Sequence, residues 1–271
     1  MHNATPAQVV DSTLRPIRLS KSKIAAFEHC PRRLWLQVHR REAAEMDADK
    51  LDLFQFGHDV GTLAQFALPG GIMVSAEPDM QAALDRTAEL IAAGPDRPIF
   101  EATFQFENVL VRVDILEPDD MGGWRAIEVK SSTRVKAYQL ADLATQVWVM
   151  RGCGVQLSAG IIRHIAKPFC WRRRNIAAVR FVDADVTLPI RRYVASRARI
   201  AAEAQEATEG PEVRREMGNH CESPFTCEFR AYCHRARMMP LLAPLDSAGS
   251  SRQSQDQLEG PGLGQTRRSG G

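Results

Sequence analysis

The sequence predicts an α/β fold, a mixed β-sheet flanked by helices, and two observations carry that prediction. First, three β-type runs at 99–106, 109–116 and 124–130 follow one another across gaps short enough for an antiparallel meander. Second, a helical pattern over 137–151, closed by Gly152, separates the third run from a fourth at 155–165. A strand, a helix and a returning strand make a crossover that sets two strands parallel. A chain of 271 residues, 44% hydrophobic and 25% charged, is long enough to bury a sizeable core.

Alternation along the three runs gives each an apolar and a polar face, since residues two apart share a side. Phe100, Ala102, Phe104 and Phe106 oppose Glu101, Thr103 and Gln105 in the first. Val109, Val111, Val113 and Ile115 oppose Arg112 and Asp114 in the second, and Ile127 and Val129 oppose Glu128 and Lys130 in the third. The meander therefore gathers Glu101, Asp114, Glu128 and Lys130 on one patch. Carboxylates that converge repel each other and lose hydration, and a cation stabilises them. Oxygen ligands of this kind suit magnesium or manganese, and a neighbouring ammonium can steady negative charge in a transition state. A solvated sheet face with incidental salt bridges is the simpler reading of the same pattern.

The remaining elements follow in order. Residues 1–18 read as a flexible leader. Ser20 is positioned to cap a helix over 21–29, and Cys30-Pro31 breaks it before a second helix at 32–41. Helices at 51–66 and 81–93 precede the meander; the first carries His58, which alone reads as a packed or surface histidine. In the helix after Lys130, Gln139, Asp142 and Gln146 form a polar stripe at i, i+3, i+7. The stretch 167–174, KPFCWRRR, interleaves basic and aromatic residues, as a strand-tracking nucleic-acid surface or a solvated basic loop would. A long helix is predicted over 190–208.

Cys221, Cys227 and Cys233 follow at regular five-residue gaps in a compact segment. The pattern indicates a metal or iron–sulfur site needing a fourth ligand, and the spacing leaves the metal open. From about 241 the chain turns into a low-complexity tail, too poor in apolar residues to pack. A net charge of +2 excludes a global electrostatic argument for a polyanionic partner, so any such surface must be local. No apolar run is long enough to span a bilayer and no secretion signal is evident, so a cytoplasmic location and no membrane partner are expected.

Leu19-Ser-Lys-Ser, Phe27-Glu-His-Cys30-Pro-Arg, Gly57-His58, Arg112-Val-Asp114, Ile127-Glu-Val-Lys130 and the cysteine triple occur in one order. Together they resemble the PD-(D/E)XK nucleases of the RecB type, in particular the iron–sulfur branch with the CRISPR-associated exonucleases. Closer still are bacterial proteins of unknown function in which such a module precedes an RNase H-like half. The likeness spans 19–233. That half has no counterpart here, so a shortened relative is expected, with a nuclease domain over 19–240.

The resemblance implies a restriction-endonuclease-like sheet and a DNA nuclease, a single-strand exonuclease by preference. It assigns a Mn2+ or Mg2+ ion to His58, Asp114, Glu128 and the Val129 carbonyl, and makes Lys130 the catalytic lysine. Gln146 matches the glutamine that assists catalysis or DNA binding, and Glu101 the early acidic position. Cys30, Cys221, Cys227 and Cys233 match the ligands of a [4Fe-4S] cluster, leaving Cys153 and Cys170 spare. Arg134, Lys136, Arg163, Lys167, Trp171, Arg172, Arg173 and Arg174 are the expected DNA contacts, and a nuclease or helicase the expected partner protein. The alternatives are a non-catalytic nucleic-acid-binding or assembly module and a zinc-stabilised interaction protein.

Overall fold

The computed structural model describes residues 17–45, 48–94, 96–169 and 175–242. Most of the expected leader and tail lies outside these, as do Cys170, Trp171, Arg172, Arg173 and Arg174.

The chain opens with β1 (Leu19–Ser20), α1 (Lys21–His29) and α2 (Pro31–His39). Ser20 caps α1 by accepting the Lys23 amide, and Pro31 occupies the first position of α2, so Cys30 sits at the corner. Next come α3 (Ala48–Phe66), β2 (Ile72–Met73) and α4 (Met80–Ala93), the last capped by Asp79. The meander is β3 (Ile99–Phe106), β4 (Val109–Pro118) and β5 (Trp124–Lys130). Its first turn is Glu107-Asn108, both residues at positive φ (43° and 61°), as a two-residue hairpin turn requires. α5 (Ala137–Gly152), β6 (Leu157–Ile165) and β7 (Phe181–Asp185) follow, then α6 (Arg191–Val194), α7 (Arg197–Glu209) and α8 (Arg230–Leu242).

Among the described residues the sheet is mixed and seven-stranded, in the order β2-β3-β4-β5-β6-β7 with β1 on β4. β3, β4 and β5 run antiparallel, and α5 carries the crossover that sets β6 parallel to β5. Helices cover both faces, consistent with the restriction-endonuclease-like architecture expected. The larger core lies under α1 and α5, where Val111, Val113, Ala126 and Ile162 meet Leu143, Ala144 and Met150. A smaller one faces α3, where Phe100, Ile115, Ile127 and Ile161 meet Ala64. No helix among the described residues is long and apolar enough to cross a membrane.

Two expectations need correction, and some elements were not foreseen. The simple alternation fails at Glu101 and Asp114: Phe100 and Ile115 go to the α3 core while Ala102 and Val113 go to the opposite one. Glu101 has φ +58°, a left-handed conformation that side chains disfavour, and the strand turns over there. The helix at 190–208 is broken into α6 and α7. Its Tyr193 carbonyl accepts from the Ser196 amide and hydroxyl and from Arg197 Nε, contacts that compete with continued helical bonding. Finally, β1, β2, β7 and α8 carry too little pattern of their own to be predicted.

Candidate functional site

The site lies where β4 and β5 separate. Their ladder runs from Pro118↔Trp124 to Ile115↔Ile127 and goes no further. β3 pairs along β4 on one edge, so β5 and the two-residue β1, which pairs with Val109 and Leu110, share the other. Between them a gap opens at 111–114. Asp114 fills it: its Oδ2 accepts the Val129 amide at 2.7 Å, a side chain taking the place of a ladder carbonyl.

Glu128 comes next along β5 and is 2% exposed. It lies on the face of Trp124 and Ala126, under α1 and α5, and not on the open polar face that alternation implied. Four contacts hold it. Gln146 of α5 donates to Oε2 at 2.5 Å, Lys130 reaches Oε1 at 2.7 Å, and Lys21 donates to both oxygens at 2.8 and 2.9 Å. Lys130 also donates to Asp142 at 2.9 Å. The stripe on α5 thus meets the end of β5, Asp142 on the lysine and Gln146 on the glutamate. Gln139, one turn earlier, caps α5 through the Lys136 amide and reaches Ser132.

Electrostatics separate the two carboxylates. Burial, then the Glu128 charge, pushes Asp114 up to about 7. Burial would also raise Glu128, but the ammonium groups of Lys130 and Lys21 outweigh it and hold the carboxyl at about 2. Burial alone would lower Lys130, yet Glu128 and Asp142 raise it above the ordinary lysine value, so it stays charged.

Not every expected residue joins this group. Glu101 is turned to Arg112 at 3.1 Å and to Gln65 of α3 at 3.3 Å. His58 is exposed on α3. Its neighbour Gly57 does lie against β5, since a Cβ there would stand 3.7 Å from Ser131 Oγ, but the imidazole is not drawn in. Among the described residues, no three His, Cys, Asp or Glu side chains are arranged around a common ion position. The donors that fit a hard divalent ion are Asp114 and Glu128, with the Val129 carbonyl beside them, and a buried Gln146 Oε1 has no hydrogen-bond partner. Lys21 was missed as a site residue. One signal was available: a cation at the first position of a helix opposes the macrodipole and needs another partner.

Arg134, Lys136 and Lys167 are exposed, and the Lys136 ammonium sits over the Tyr138 ring. Register pairs Lys130 with His164, so the chain carrying Lys167 leaves β6 at the same end of the sheet. Arg163 is engaged otherwise, with Asp183 at 2.7 Å through two nitrogens.

Cys30, Cys221, Cys227 and Cys233 line one small cleft. Burial, then the Glu228 charge, pushes the Cys227 thiol up to about 11, and Cys233 is raised mainly by burial. Any metal there must displace protons. Cys153 is exposed, away from the cleft, and donates to the Gln105 carbonyl. The terminal segment does not depend on the thiols alone. Phe229 is buried, Glu228 pairs with Arg33 and Gln37 of α2, Arg32 with Glu212, and His29 with the His220 carbonyl.

No family model matches the chain, and no curated protein does. Among solved structures it is similar to the crystal structure of SSO0001, at 15% identity and a TM-score of 0.36, over 82% of this chain and 88% of that one. It is also similar to an alkaline exonuclease, LHK-Exo from Laribacter hongkongensis, at 12% identity and a TM-score of 0.27, over 71% and 92%. At these TM-scores neither likeness carries an argument about what the chain does.

Proposed function

We propose that the chain is a divalent-metal-dependent deoxyribonuclease of the PD-(D/E)XK, RecB-like kind, an exonuclease that prefers single-stranded DNA. One observation carries the reading: Asp114, Glu128 and Lys130 converge at the split between β4 and β5, the Glu128 carboxylate buried and the Asp114 carboxylate half-buried. Asp114 and Glu128 would hold Mn2+ or Mg2+, which lowers the pKa of bound water and neutralises phosphate charge. The protein supplies the rest. Gln146 and Lys130 fix the glutamate, while Asp142 positions the Lys130 ammonium. Because that ammonium stays protonated, its role is to stabilise developing negative charge and not to remove a proton. Arg134, Lys136 and Lys167, with Trp171, Arg172, Arg173 and Arg174, would track the DNA backbone.

The four cysteines are assigned a structural [4Fe-4S] cluster. A single zinc needs its thiolates to meet at one point, about 2.3 Å from each sulfur. The four thiols line one cleft, which supports a shared group, and metal analysis separates a cluster from a single zinc. The test has two arms. Anaerobically purified protein should be coloured and contain iron, and it should degrade single-stranded DNA when Mn2+ is added. Lys130→Ala should cut about a hundredfold to a thousandfold more slowly while still binding DNA. A variant as fast as the parent would remove Lys130 from the chemistry, and a colourless zinc protein would remove the cluster.

A further inference from the structure

Glu128 has no free oxygen. Oε1 receives Lys21 and Lys130, and Oε2 receives Lys21 and Gln146. An ion that coordinates Glu128 must therefore displace a resident contact, and the three are not equally held. Gln146 is fully buried. Lys130 is braced by a second carboxylate, Asp142. Lys21 has only Glu128 as a direct anionic partner among its contacts, and it stands on the first turn of α1. Pairing of Leu19 and Ser20 with β4 fixes where that side chain starts, so the ammonium is tethered beside the split.

Charge points the same way. With all groups ionised, Asp114, Glu128 and Asp142 against Lys21 and Lys130 leave one negative charge. With Lys21 withdrawn, two remain, matching a divalent cation. We propose that Lys21 is a tethered counter-cation: it neutralises the Asp114–Glu128 pair in the metal-free protein and moves to solvent when a divalent ion binds. Ion affinity is then set by competition with an ammonium carried on α1. This rests on the reading that Asp114 and Glu128 hold the ion.

The experiment titrates Mn2+ alone, without nucleic acid, into the full chain and into Lys21→Met by calorimetry. Removing one like charge beside the ion should tighten Mn2+ binding roughly tenfold in Lys21→Met. In the unaltered chain, reductive methylation of Lys21, followed by mass spectrometry, should accelerate at saturating Mn2+, with Lys23 on the same helix as the reference. A folded Lys21→Met that binds Mn2+ no tighter than a binding-competent parent overturns this inference and leaves the nuclease reading standing. Mn2+ binding by neither protein overturns both. Should the variant fail to fold, the methylation rate decides, and a rate at Lys21 unchanged by bound Mn2+ rejects the proposal.

Discussion

The Asp114 carboxylate accepts the Val129 amide at 2.7 Å, and this single bond ties the two halves of the site together. It stands where the β4–β5 ladder ends, so the acidic residue both closes the split and lines it. A residue in that position has a structural and an electrostatic role at once, and the two pull its protonation in different directions.

Asp114 has its carboxyl pushed up to about 7, above the ordinary value of 3.8, by burial and by Glu128. A raised acid contributes stability that is complete below its ordinary value and is lost as pH rises through about 7. Glu128, held at about 2, contributes stability above its ordinary value of 4.5 and loses it only as pH falls toward 2. With a chelator present, unfolding free energy should therefore decline between about pH 4.5 and pH 7 and level off above that. Asp114→Asn, which keeps an acceptor for the Val129 amide, should flatten that decline. Equal slopes for the two proteins in urea titrations would refute the assignment.

Arg197 is 2% exposed and donates to both oxygens of Glu28 at 2.7 Å, joining α7 to α1. Removing one partner of a buried pair leaves the other charge uncompensated, so Arg197→Ala should cost about 3 kcal/mol. Glu28→Gln should cost less, since Glu28 is more exposed and an amide oxygen can still accept. Thermal unfolding that ranks the two variants the other way would contradict this.

Cys30→Ala should remove iron and visible absorbance together, while Cys153→Ala should change neither. The terminal segment should nevertheless stay docked in Cys30→Ala, because Arg33 and Gln37 hold Glu228 and Phe229 is buried. Limited proteolysis reads this directly: rapid cleavage near 210–235 in that variant would show that the thiols alone hold the segment.

Neutralising Arg172, Arg173 and Arg174 together should weaken binding to all single strands alike and flatten its dependence on salt, since fewer counterions are released. An unchanged slope returns 167–174 to a solvated basic loop.

The sequence by itself determined the elements whose signals are local. Alternation placed Ile99–Phe106 and Trp124–Lys130 at the bounds they have, Ser20 and Cys30-Pro31 delimited α1, and Gly152 closed α5. The crossover, and the polar stripe of Gln139, Asp142 and Gln146, were legible for the same reason. Tertiary structure decided what depends on distant partners. Lys21 meets Glu128 across 107 positions, and two-residue strands such as β1 exist only because β4 offers an edge. The polar face became a buried one once α1 and α5 covered it, and Glu101 turned to Arg112 because the strand reverses its faces at a left-handed residue. Periodicity records which residues share a side of one element; which side is covered, and by which charge, is settled only when the elements pack.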